Sequence, residues 1–159
     1  MKRLFLPQTL ILFSLTSMAK EIKKEIVIQA TPQKVWKILT DFENYPNWNP
    51  FITSISGDIQ TGNRITVNIS PPNGSSMTFK PKVLTKIENK ELSWIGSVLF
   101  KGLFDGQHKF ALIDNGNGTT TFIQSEEFKG IFVWLFNPEK TKNGFNAMNQ
   151  KLKELAEKQ

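Results

Sequence analysis

A chain of 159 residues with 39% hydrophobic content is enough for one domain with its own core. It holds no cysteine, which excludes disulfides, zinc–thiolate sites, iron–sulfur clusters, cysteine nucleophiles and a lipid anchor on cysteine. The net charge of +6, from 20 basic and 14 acidic side chains, is scattered instead of gathered into a basic stripe, so no nucleic-acid partner is expected.

The chain opens with Met1-Lys2-Arg3, an apolar run from Leu4 to Leu15, and Ser17-Met18-Ala19 before the charged Lys20-Glu21. A basic start, a short apolar middle and small residues at the end form a secretory signal pattern. Residues 1–19 are therefore expected to be a signal peptide cleaved after Ala19, with the domain over 20–159 exported to the periplasm or outside the cell. Pro7, Gln8 and Thr9 interrupt the run, and an uncleaved anchor or a cytoplasmic chain are the competing readings. Removing Lys2 and Arg3 leaves 18 basic against 14 acidic side chains, a mild excess of +4.

Glu21 to Gln29 alternates isoleucines with polar partners and predicts a first strand. Thr31 is placed to cap a helix with Pro32 at its first position, and Val35, Trp36, Leu39 and Phe42 share one helical face. Asp41 is placed to cap a second short helix through Asn44. Pro46 and Pro50 are expected to end that run, leaving Asn47-Trp48-Asn49 as a loop or tight turn. Strands are predicted at Ile52 to Ile59, Arg64 to Ser70, Met77 to Glu88 and Glu91 to Ser97, separated by segments with turn chemistry. Val98 to Gly106 reads as a strand end or an apolar loop at a cavity mouth.

Gln107 to Asp114 and Thr119 to Phe128 alternate on either side of Asn115-Gly116-Asn117-Gly118, the composition of a hairpin turn. If even-numbered residues share a face, His108, Phe110 and Leu112 lie opposite Phe122, Gln124, Glu126 and Phe128. Pairing Leu112 with Phe122 sets His108 across from Glu126, and Glu127 then points to the opposite, solvated face. Gly130 to Phe136 either begins the last helix or closes over the end of a cavity. Phe145, Met148, Leu152 and Leu155 then recur at helical spacing in an amphipathic C-terminal helix, where Gly144 marks a bend or close packing.

The segment Ala30 to Ile52, ATPQKVWKILTDFENYPNWNPFI, resembles the opening of the START-like or SRPBCC superfamily, the polyketide cyclase/dehydrase and lipid transport group. Thr31, Pro32, Val35, Trp36, Asp41, Phe42, Tyr45, Pro46, Trp48, Asn49, Pro50 and Phe51 carry the likeness. Gly106, His108, Phe110, Leu112, Gly118, Thr120, Phe122, Glu126, Phe128 and Gly130 look like positions of a bacterial branch of the group. The resemblance implies an α+β helix-grip fold: a bent antiparallel sheet of about seven strands around a long C-terminal helix, with two short helices after the first strand. It also implies a cavity between sheet and helix.

The candidate lining is Trp48, Phe51, Trp94, Phe104, His108, Phe110, Phe122, Glu126, Phe128, Trp134, Phe145 and Met148; each of the apolar ones also suits ordinary core. His108 and Glu126 form a candidate acid/base pair, a ligand-orienting pair, or two polar groups satisfying each other in the interior. No second histidine stands ready for a metal, and no phosphate-binding glycine loop, GxSxG or HExxH motif occurs, so neither metal nor cofactor is expected. The leading reading is a module that binds or transports a hydrophobic small molecule: a lipid, a quinone or a polyketide-like aromatic. The alternatives are a cyclase, aromatase or hydratase using His108 and Glu126 for proton transfer, and a quinone-chaperone or ribosome-associated interaction protein. Transient membrane contact fits the first of these.

Overall fold

The computed structural model describes residues 18–72, 74–98 and 100–158. The predicted signal segment therefore lies outside the described residues except for Met18 and Ala19, which begin β1 (Met18–Ile28). After β1 come α1 (Pro32–Thr40), a 3-10 turn at Phe42–Asn44 and α2 (Tyr45–Trp48). Eight strands in all are present among the described residues, against about seven expected: β2 (Ile52–Ser56), β3 (Thr66–Ile69), β4 (Met77–Phe79), β5 (Lys82–Ile87), β6 (Glu91–Ser97), β7 (Asp105–Asp114) and β8 (Thr120–Gly130) follow β1. A 3-10 turn at Val133–Leu135 leads to the long terminal helix α3 (Glu139–Ala156).

The strands form a five-stranded antiparallel sheet in the order β1-β8-β7-β6-β5 and a three-stranded sheet in the order β2-β3-β4. An isolated Arg64–Lys82 bridge, with Ile65 N–H donating to Pro81 O at 3.0 Å and Val83 N–H to Asn63 O at 2.9 Å, joins them at one edge. The expected single strand from Met77 to Glu88 is thus two strands in different sheets. The break falls at Lys80-Pro81, where the proline has no N–H to give to a ladder. The two sheets curve about α3, whose Phe145, Met148, Leu152 and Ala156 are fully buried. This is the helix-grip arrangement.

Local chemistry accounts for the opening helices. Thr31 Oγ1 accepts from Lys34 N–H at 3.4 Å at the start of α1, and Val35, Trp36 and Leu39 turn into the core. Asp41, expected to cap the next turn, precedes it without a side-chain cap. Pro46, expected to end a helical run, instead lies in the first turn of α2, where its missing N–H is one of the unpaired donors anyway, so Asn47 and Trp48 are helical. Tyr45 is fully buried and donates to Leu39 O at 2.6 Å, satisfying one of the carbonyls left free at the end of α1. Burial, with a smaller contribution from the Asp41 charge, pushes its phenol far above the usual range.

Gly144 sits inside α3 against the ring of Phe51. A Cβ there would run into Cδ2, Cε2 and Cγ of that ring, so the glycine marks close packing of the helix on the segment entering β2. Phe51 and Phe145 then meet edge to face at 5.6 Å.

Candidate functional site

The hairpin places its polar residues in the predicted register: Leu112 faces Phe122, Phe110 faces Gln124 and His108 faces Glu126. Gly116 and Gly118 take the positive φ that the turn requires, +75° and +80°. On the concave face His108, Phe110, Leu112, Phe122, Gln124 and Phe128 are all buried. Glu127 points outward and pairs with Lys129 at 2.8 Å.

His108 is boxed by aromatic rings. Trp94 stacks on it with centroids 4.7 Å apart and planes 10° off parallel, while Phe110 and Phe145 meet it edge-on at 4.8 and 5.3 Å. Its Nε2 lies 3.4 Å from Gln124 Nε2, and its Nδ1 lies 3.4 Å from Glu126 Oε2. With the Gln124 amide donating, Nε2 accepts and the ring proton sits on Nδ1, directed at the carboxylate. Gln124 also reaches Met148 Sδ at 3.5 Å. A polar row, Gln124–His108–Glu126, therefore runs across the sheet from the packed core to the end of the Glu126 side chain, which is 20% exposed.

That end opens into a cavity of about 400 Å³, within the size range of small-molecule sites. The two sheets form its walls. Ile52, Val67, Ile69, Met77 and Phe79 come from β2–β4, and Trp94, Gly96, Gly106, His108, Glu126 and Phe128 from the larger sheet. The loops 98–104 and 131–136 close one end with Val98, Leu103, Phe104, Phe132 and Phe136, and they are tied together by Phe132 N–H donating to Leu103 O at 3.1 Å. Lys20 Nζ donates to Phe136 O at 2.8 Å, fastening the second loop to β1. Among the described residues Glu126 is the one charged side chain in the lining; His108 and Thr141 are the other polar ones.

Of the twelve residues expected to line a cavity, Phe51, Trp94, Phe104, His108, Glu126 and Phe128 do so. Phe110, Phe122, Phe145 and Met148 are fully buried in the core beyond its wall, and Trp48 packs on Tyr45 at 5.1 Å. Trp134 is 60% exposed, because the 3-10 turn directs Val133 inward and its two successors outward. The sequence reading misses the wall from β2–β4; of its two readings of Gly130 to Phe136, closure over the end of a cavity holds, through Phe132 and Phe136, which it does not name among the lining. Phe136 packs against Phe128 at 4.4 Å and Phe104 at 5.3 Å. The apolar composition of Gly130 to Phe136 is the signal that points to it.

A family model described as polyketide cyclase / dehydrase and lipid transport matches residues 19–158. No curated protein matches the sequence. Among solved structures, a START superfamily protein from Mycobacterium smegmatis superposes with a TM-score of 0.65 at 17% identity, covering 86% of this chain and 97% of that one. Norcoclaurine synthase from Thalictrum flavum, in complex with dopamine and hydroxybenzaldehyde, gives 0.68 at 17% identity, covering 94% and 96%. The major latex-like protein 151 from Panax ginseng gives 0.70 at 13% identity, covering 88% and 99%. At these identities the likeness is one of fold.

Proposed function

Because the chain belongs to the polyketide cyclase / dehydrase and lipid transport family, we propose that it binds and carries a hydrophobic small molecule, a lipid, quinone or polyketide-like aromatic, in the cavity between its two sheets. The observation that carries this reading is the cavity itself: about 400 Å³, with apolar walls and one carboxylate. Burial of apolar surface is the driving force such a lining offers, at about 25 cal/mol per Å² of area removed from water. Proton transfer by His108 and Glu126 is the enzymatic alternative, favoured by their facing positions at the cavity wall. Binding is preferred because, among the described lining residues, the Thr141 hydroxyl is the only other side chain of nucleophile type and there is no second base.

The outer rim supports transient contact with a lipid surface. Phe100 is 73% exposed, Trp134 60% and Leu135 63%, on or next to the two loops that close the cavity, with exposed Lys101 among them. An apolar ligand leaving through this rim into a bilayer would avoid crossing water. Export is proposed from the N-terminal pattern, and the mass of the mature form, starting or not at Lys20, tests it.

The cavity reading is tested by binding of the neutral dye Nile red and by native mass spectrometry of protein purified from its own host. A retained apolar ligand, with saturable dye binding that Ile69→Trp or Val98→Trp weakens at least tenfold, is the expected result. Dye binding unaffected by both substitutions would place the ligand elsewhere.

A further inference from the structure

We propose that the cavity selects, among apolar molecules of similar size, those bearing one hydrogen-bond-donating head group, an alcohol, phenol or amine, and rejects carboxylates and phosphates. This rests on the ligand-binding reading above and assigns its head-group chemistry. Among the described residues Glu126 is the single charged group in the lining; no lysine or arginine lines the cavity, and the Lys20 ammonium near its closed end is held by Phe136 O at 2.8 Å. Its Oε2 meets His108 Nδ1 at 3.4 Å, longer than a well-formed N–H···O bond, and Oε1 has no donor among the described residues.

The carboxylate accepts hydrogen bonds and donates none, and here its surroundings are apolar. Oε1 lies over the space left by Gly106, where a Cβ would come within 2.9 Å of it, and the same Cβ would lie 3.6 Å from the ring of Phe128. An acceptor with unused capacity beside apolar walls costs free energy that a donor on the ligand removes. A ligand carboxylate or phosphate would instead bring a second negative group into a poorly screened space with no cation among its described lining residues, Lys20 being engaged by the Phe136 carbonyl. Gly106 belongs to this arrangement, since any side chain at that position pushes the carboxylate from its place. His108, packed between Trp94 and the Phe110 and Phe145 ring edges, limits how far the Glu126 side chain swings back toward the core.

Displacement of Nile red by decanol, decylamine and decanoate tests the selection on the intact protein. Decanol and decylamine are expected to displace the dye at concentrations at least tenfold below decanoate. In Glu126→Gln, where the negative charge is gone, decanoate improves at least tenfold relative to decanol, closing the gap. If decylamine loses tenfold or more in the same variant, the wild-type site recognises a cation as well as a neutral donor; if it holds, the hydrogen bond alone is read. Both results support the proposal. Decanoate binding as tightly as decanol to the wild-type protein, or an unchanged decanol-to-decanoate ratio in Glu126→Gln, overturns the selection and leaves the cavity reading standing. Failure of Nile red to bind at all overturns both.

Discussion

Tyr45 and Trp48 show how a residue prominent in the family-like motif serves the scaffold. Tyr45 sits between Phe42 and Trp48 in edge-to-face contacts of 5.3 and 5.1 Å, and its hydroxyl closes the end of α1 through Leu39 O. Tyr45→Phe removes the donor and leaves a buried carbonyl with one partner fewer, a loss of about 1–3 kcal/mol. Denaturant melts are expected to show that loss, with Nile red affinity unchanged within about twofold. A large drop in dye affinity at unchanged stability would mean that the Tyr-Pro-x-Trp turn borders the ligand after all. His108 differs from Tyr45 in that only part of its bonding is internal: one nitrogen faces Gln124 in the core and the other faces the carboxylate at the cavity wall.

At the scale of elements, the hairpin was readable and the cavity walls only in part, for one physical reason. Period-two alternation and an Asn-Gly turn determine which residues face each other, so the His108–Glu126 pair follows from sequence alone. Which apolar residue borders empty space depends on how two sheets splay apart, and phenylalanines in core and wall are chemically alike. Phe110 and Phe122 are core, while Phe128 on the same face is wall. The split of β4 from β5 at Pro81, which supplies the second wall, is marked by one residue and is easily read as a kink in a single strand. Gly144 was legible as an anomaly, and its cause, the Phe51 ring, becomes visible only when α3 is set on β2. Gly144→Ala gains up to about 1 kcal/mol of helix propensity, but the added methyl meets that ring, and overpacking costs about 1–3 kcal/mol. A lower Tm is therefore expected, together with weaker dye binding, because Phe51 also lines the cavity. A higher Tm would mean that Phe51 moves aside freely.

For the molecule as a whole, the division of labour between its two ends bears on how a ligand gets in. One end of the large sheet, toward the Asn115–Gly118 turn, is closed by packed side chains such as Phe122 and Leu112. The other end carries the cavity and the loops with Phe100, Phe132, Trp134 and Leu135 exposed, an apolar rim of the kind that inserts shallowly among lipid headgroups. Among the described residues no helix is long and apolar enough to cross a membrane. Trp134 gives the rim a direct reporter, since Trp36, Trp48 and Trp94 are buried. Vesicles containing anionic lipid are expected to shift the tryptophan emission to the blue, and brominated acyl chains to quench it. Trp134→Phe removes most of both responses, and added salt weakens them in so far as Lys101 contributes. Responses that persist in Trp134→Phe would locate lipid contact away from the rim and separate ligand exchange from this end of the molecule.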